Sequence, residues 1–113
     1  MSPGDVVLIS LRQLGSTTLK LRPALLLADL PGPYQNRLVC GISTQLHLLQ
    51  ANWDELLQTA DADFPTSGLH RSSAIRLSFL YAADTSELVG IIGKIDSSRL
   101  ERLRRRLSDH LRP

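Results

Sequence analysis

The ten residues from Leu19 to Ala28, Leu-Lys-Leu-Arg-Pro-Ala-Leu-Leu-Leu-Ala, constrain this chain more than any other stretch. Leu25, Leu26 and Leu27 form a short, continuous apolar run, the pattern of a strand covered on both faces. Lys20 and Arg22 lie two apart and share one face of that strand. Pro23 disfavours the helical region for the residue before it, so the backbone of Arg22 is held extended. A proline donates nothing to a ladder, so this end of the strand belongs at an edge, a strand start or a bulge. Arg22 is then either a fixed guanidinium at the mouth of a sheet or a solvated arginine flanking a hydrophobic strand.

The remaining strands are read around this one. Asp5–Leu11 is β-branched and apolar after Pro3-Gly4 and forms the first strand. Gln13–Thr18 is a polar, glycine-containing connection, long enough to fold over the neighbouring arginine. Pro31-Gly32-Pro33 marks a turn between Asp29 and Asn36, and Arg37–Ile42 forms a third strand. Cys40 falls inside it as a small buried hydrophobe, with no histidine or acid beside it in sequence to activate a thiol. In Ser73–Ala82, Ile75, Leu77 and Phe79 alternate with Arg76 and Ser78, a period of two. Leu88–Ile95 is the last strand, and its Gly90 and Gly93 point to bulges or tight bends.

The other segments are not strands. Asn52–Thr59 reads as a short helical turn started by Asn52, with Asp54 and Glu55 in its first turn. Trp53, the only tryptophan, either anchors this excursion to the body of the fold or offers a stacking platform for a base. Anchoring is favoured, because an otherwise polar excursion needs apolar area to hold it down. Leu100, Leu103, Leu107 and Leu111 repeat at helical spacing and define a closing helix. Asp96 is chosen as its N-cap, pairing Ile95 with Leu100 as a hydrophobic staple, over Ser98 with Glu101 as a capping box. Arg102, Arg104, Arg105 and Arg106 are read as a solvated face before they are read as a nucleic-acid surface.

Five or six short strands and a terminal helix make a mainly β chain: a small, strongly bent sheet or SH3-like barrel. At 113 residues it is expected to be a single domain, 1–113. Its net charge of +2 permits an anionic partner without demanding one. One cysteine excludes an internal disulfide, and the N-terminus lacks the basic start and apolar run of a signal peptide, so the expected location is cytoplasmic. No uninterrupted apolar stretch reaches the length of a membrane span.

Candidate chemistry begins at the strand ends. Ser43-Thr44-Gln45 places two hydroxyls and an amide directly after an apolar run. They either donate to an anion or cap their own turn. His47, His70 and His110 are scattered, and neither they nor Cys40 form a ligand cluster, so no metal and no cofactor are expected. His47 and His70 are candidate proton carriers, imidazole being the side chain that ordinarily titrates near neutrality.

Gly4-Asp5-Val6-Val7, Lys20-Leu-Arg22-Pro23-Ala24, Gly41-Ile42-Ser43-Thr44-Gln45, Ser73-Ala-Ile-Arg76-Leu77 and Gly93-Lys-Ile occur in an order and spacing that resemble the MazF/PemK-type toxins of bacterial toxin–antitoxin systems. The resemblance runs from about Gly4 to Leu111. It implies an SH3-like barrel of the CcdB/MazF kind with a C-terminal helix and a homodimer. The activity it implies is a metal-independent endoribonuclease acting on single-stranded RNA, held in check by a cognate antitoxin protein. It also implies that Arg22 is the catalytic arginine and that Ser43 and Thr44 supply the catalytic hydroxyl. Relatives often have Thr then Ser before Gln, so Ser43 takes the aligned position here. Lys20, Gln45, His47, His70 and Arg71 are the candidate substrate contacts. The Trp53 excursion departs from the best-known members, and His70 stands where relatives often carry an acid.

The residues are compatible with that chemistry on their own. If the ribose 2′-hydroxyl attacks the adjacent phosphorus, RNA supplies its own nucleophile, and the protein has to position it and stabilise added negative charge. A guanidinium suits that role because it is planar, always protonated and able to bond two phosphate oxygens at once. Two non-enzymatic readings compete: a CcdB-type gyrase poison and a non-cleaving RNA-binding module. The chain ends His-Leu-Arg-Pro without the tryptophan-containing terminal segment of the first, and 4% aromatic residues is sparse for a stacking binder.

Overall fold

The computed structural model describes residues 1–12 and 19–113. The expected Gln13–Thr18 connection lies outside the described residues. Among the described residues six strands, β1 (Asp5–Arg12), β2 (Leu19–Asp29), β3 (Arg37–Ser43), β4 (Glu55–Leu57), β5 (Ser73–Ala83) and β6 (Leu88–Lys94), precede one α-helix, α1 (Ser97–Leu111). They form one antiparallel sheet in the order β4-β5-β3-β2-β1-β6.

The leucine run of β2 is buried on both faces, as its pattern requires. Leu25 and Leu27 join Val6, Cys40, Ile75, Leu77 and Leu103 in the core beneath α1. Leu26 points the other way, into a second cluster with Val7, Ile9, Ala24, Val39 and Ala83. Pro23 pairs with Leu8 of β1, but the ladder from β2 to β3 begins only at Ala24. The missing N–H therefore falls at the strand's unpaired margin.

The sheet does not close into a barrel. β4 and β6 are its two edges, and among the described residues no ladder joins them. The β4–β5 connection seals the β6 side instead: the Lys94 N–H donates to the Thr66 carbonyl at 2.9 Å. Contact is so close that a Cβ on Gly93 would lie 2.3 Å from the Ser67 carbonyl carbon, and one on Gly68 2.1 Å from the Ile92 oxygen. Gly68 also has φ +76°, which favours glycine. The β1–β6 register slips between Val6 and Val7 and between Leu8 and Ile9, next to Gly93 and Gly90, so the expected bulges are present.

Asn52–Thr59 is not helical. Asn52 takes φ 65°, which breaks a right-handed helix, and Glu55–Leu57 pairs with Ile75, Ala74 and Ser73 at the sheet edge, burying Leu57. Trp53 anchors this excursion: half-buried, it packs on the core beneath α1, its ring centroid 4.8 Å from that of His110. Asp96 does occupy the N-cap of α1, with Ile95 and Leu100 both against the core as the staple requires. Its carboxylate makes no capping bond to the backbone and accepts from the Ser98 hydroxyl instead.

The arginine face of α1 is solvated only in part. Arg104 and Arg105 are exposed, whereas Arg102 and Arg106 pair with Glu55 of β4. Arg99, which the leucine spacing did not single out, is the hub: it bonds Glu55 at 2.8 Å, Asp61 at 3.2 Å and Asp63 at 2.8 Å. Among the described residues no helix is long and apolar enough to cross a membrane.

Candidate functional site

The register of three strands fixes the face of the sheet on which Arg22 lies. Ala24, Gly41 and Arg76 pair in a row across β2, β3 and β5. Neighbours in a row share a face, and so do residues two apart on one strand. Arg22, Ser43 and Arg76 therefore lie on one face of the sheet, opposite the face on which α1 packs. Beyond Ala24 and Gly41 the β2–β3 ladder ends, while β3 continues on β5 to Ser43–Ala74. The strand ends diverge there, and a cleft of about 700 Å³ opens between them.

Arg22, Ser43, Thr44, Gln45, His70 and Arg71 all line this cleft. Its apolar walls include Pro23, Leu69 and Phe79, and the side-chain-free Gly41 lies on its floor, its Cβ position 3.0 Å from the Phe79 ring. No Asp or Glu is among the described residues of the lining, which carries three guanidiniums, those of Arg22, Arg71 and Arg76. Lys20 and His47 do not line it. Lys20 is exposed further along the same face of β2, opposite Leu11, and His47 is exposed on a one-turn 3-10 helix, Leu46–Leu48, that follows Gln45.

The hydroxyl of Ser43 caps its own turn. Its Oγ accepts the Gln45 N–H at 3.0 Å and caps the turn, which leaves its own O–H to donate. His70 and Arg71 are exposed on a loop fixed at both ends by buried serines. Ser67 donates to the Phe64 carbonyl at 2.6 Å and accepts from Leu69 at 3.2 Å, while Ser73 donates to the Arg71 carbonyl at 2.9 Å.

Arg76 is the cleft arginine that sequence reasoning passed over. Its alternation with Ile75 and Leu77 put it on the face away from the core, but that signal does not distinguish a cleft from open solvent. The deciding feature is the bend where the β3–β5 register jumps from Cys40–Leu80 to Gly41–Arg76. Behind Arg76 stands Asp54, whose carboxylate Oδ2 is 3.8 Å from the Arg76 Nε. Cys40 is fully buried, and burial, with Asp54's charge adding to it, pushes its thiol up to about 12. It is inert packing, as its sequence context suggested. Among the described residues no three His, Cys, Asp or Glu side chains gather to hold a metal ion.

A sequence model of the PemK-like, MazF-like toxins of type II toxin–antitoxin systems matches residues 2–111 of the 113. No curated protein matches the chain.

Proposed function

The chain belongs to the PemK-like, MazF-like toxins of type II toxin–antitoxin systems, and from that premise we propose that it is an endoribonuclease that cuts single-stranded RNA without a metal ion. The observation that carries this reading is the convergence of Arg22, Arg71 and Arg76 with the Ser43 hydroxyl in a cleft lined by no carboxylate among the described residues. Such a site attracts a polyanion and stabilises further negative charge on it. RNA brings its own nucleophile. The 2′-oxygen bonds to the adjacent phosphorus, its proton leaves, and the bond from phosphorus to the 5′-oxygen breaks as that oxygen gains a proton. The products are a 2′,3′-cyclic phosphate and a 5′-hydroxyl.

Arg22 stabilises the phosphorane, spanning two of its oxygens from a backbone that Pro23 keeps extended. Ser43 donates its remaining O–H to a non-bridging oxygen, and Thr44 and Gln45 hold the substrate beside it. His70 is the proton carrier of this scheme, because of the two histidines considered it alone lines the cleft. Arg71 and Arg76 bind flanking phosphates. Lys20 extends the positive surface beyond the cleft. The working form is a cytoplasmic homodimer, and the antitoxin presents an acidic segment to the basic cleft. The test is incubation with mixed single-stranded RNA in chelator, followed by chemical mapping of the ends. Cleavage with cyclic phosphate and 5′-hydroxyl ends is the expected result. Binding without cleavage, or cleavage that chelator abolishes, overturns the reading.

A further inference from the structure

Asp54 is a buried charge that the proposed reaction does not use. Its side chain has 0% exposure. Both oxygens are already occupied by neutral donors. Oδ1 accepts the Ser78 N–H at 2.9 Å and the Ser78 hydroxyl at 3.0 Å, and Oδ2 accepts the Gln50 N–H at 2.9 Å. A carboxylate withdrawn from water needs a countercharge as well as donors. Arg76 supplies it at 3.8 Å, across a gap too long for a hydrogen bond. The Arg76 Nε is buried and has no hydrogen-bond partner among the described residues.

Glu55 binds Arg99 and Arg102 through direct hydrogen bonds and so occupies their donors. Asp54 attracts Arg76 without accepting a hydrogen bond from it, so it holds the guanidinium by charge and does not occupy its donors. The side chain is 24% exposed and lines the cleft. We infer that Asp54 is a positioning residue: a wholly buried carboxylate that aims the Arg76 guanidinium into the cleft and leaves its terminal nitrogens for a substrate phosphate. This rests on the RNA-cleavage reading of the cleft.

Two measurements on the full chain test it. In ¹⁵N-arginine-labelled protein the Arg76 Nε–H, assigned by its loss in Arg76→Lys, should exchange with water far more slowly than those of exposed Arg104 and Arg105. In Asp54→Asn it should exchange about tenfold faster or more, the size of a direct coupling. Exchange at the exposed rate in the wild type overturns the proposal, and that measurement stands even if Asp54→Asn does not fold. The second measurement is a double-mutant cycle on RNA cleavage. Asp54→Asn should lower kcat/KM on the order of tenfold in the wild-type background and have little further effect in Arg76→Ala. Equal losses in both backgrounds mean Asp54 acts only on stability, and the proposal fails. If the wild type does not cleave RNA at all, the reaction reading falls, and the exchange experiment alone decides whether Asp54 holds Arg76.

Discussion

Arg22 and Cys40 show how far a single residue can be read. Arg22 was legible because Pro23 restricts its backbone and the leucine run fixes its strand, and the cleft forms where those constraints put it. Under the proposed mechanism Arg22→Ala should reduce RNA cleavage by a factor on the order of a hundred or more, as for other lost charge-stabilising donors. Circular dichroism should show the fold retained, because the side chain is exposed. Lysine should restore only part of the rate, since a point charge does not span two phosphate oxygens. A substrate with one 2′-deoxyribose on the 5′ side of the cleaved bond should bind and resist cutting. Cleavage of that substrate at the normal rate would mean that water is the nucleophile. For Cys40 the raised thiol pKa, about 12, leaves almost no thiolate near neutral pH. Native protein should therefore resist iodoacetamide at pH 8 and be alkylated once unfolded, with mass spectrometry as the readout.

The segment before and along β4 shows what is decided one level up. Read as a helical turn, Asp54 and Glu55 are two exposed acids near a helix start. In an extended strand adjacent side chains point to opposite faces, and this single change gives them separate work. Asp54 turns to Arg76 at the cleft, and Glu55 turns to the arginines of α1. The arginine run of α1 likewise becomes partly a clamp once β4 lies beside it. The clamp has a pH signature through Asp63. Burial would raise its carboxyl pKa, but the hydrogen bond from Arg99, the Asp96 N–H and the charge of Arg99 outweigh burial and hold it below the ordinary 3.8. A depressed folded pKa stabilises the protein above the unfolded value, and the benefit disappears as pH falls through the folded one. The stability difference between wild type and Asp63→Asn in urea should therefore be largest near pH 7. It should shrink only once pH drops below about 4, the ordinary aspartate range. A difference that stays constant down to pH 2 would show that the shift is absent.

At the scale of the whole molecule, the proposed homodimer predicts a particle of about twice the 12.5 kDa chain mass in size-exclusion chromatography with light scattering at micromolar concentration. A monomer there would count against it. The mainly β class, five of the six strands and the helix were legible because each is a local pattern: alternation, a leucine run or a repeat at helical spacing. Pro23 and Asp96 were placed correctly for the same reason, since a missing N–H and a helix start are properties of a few consecutive residues. Three-residue β4 was not legible, because so short a strand exists only through its partner β5. Openness of the sheet was equally out of reach, since it depends on whether its edges β4 and β6 meet and not on either sequence. The same holds at the cleft. Side-chain chemistry nominated Arg22, Ser43, Thr44, Gln45, His70 and Arg71, but Lys20 and His47 were nominated on similar grounds and lie outside. Only the divergence of β2 from β3 and the bend in β5 determine which groups face one space, and these arise from contacts between residues far apart in the chain.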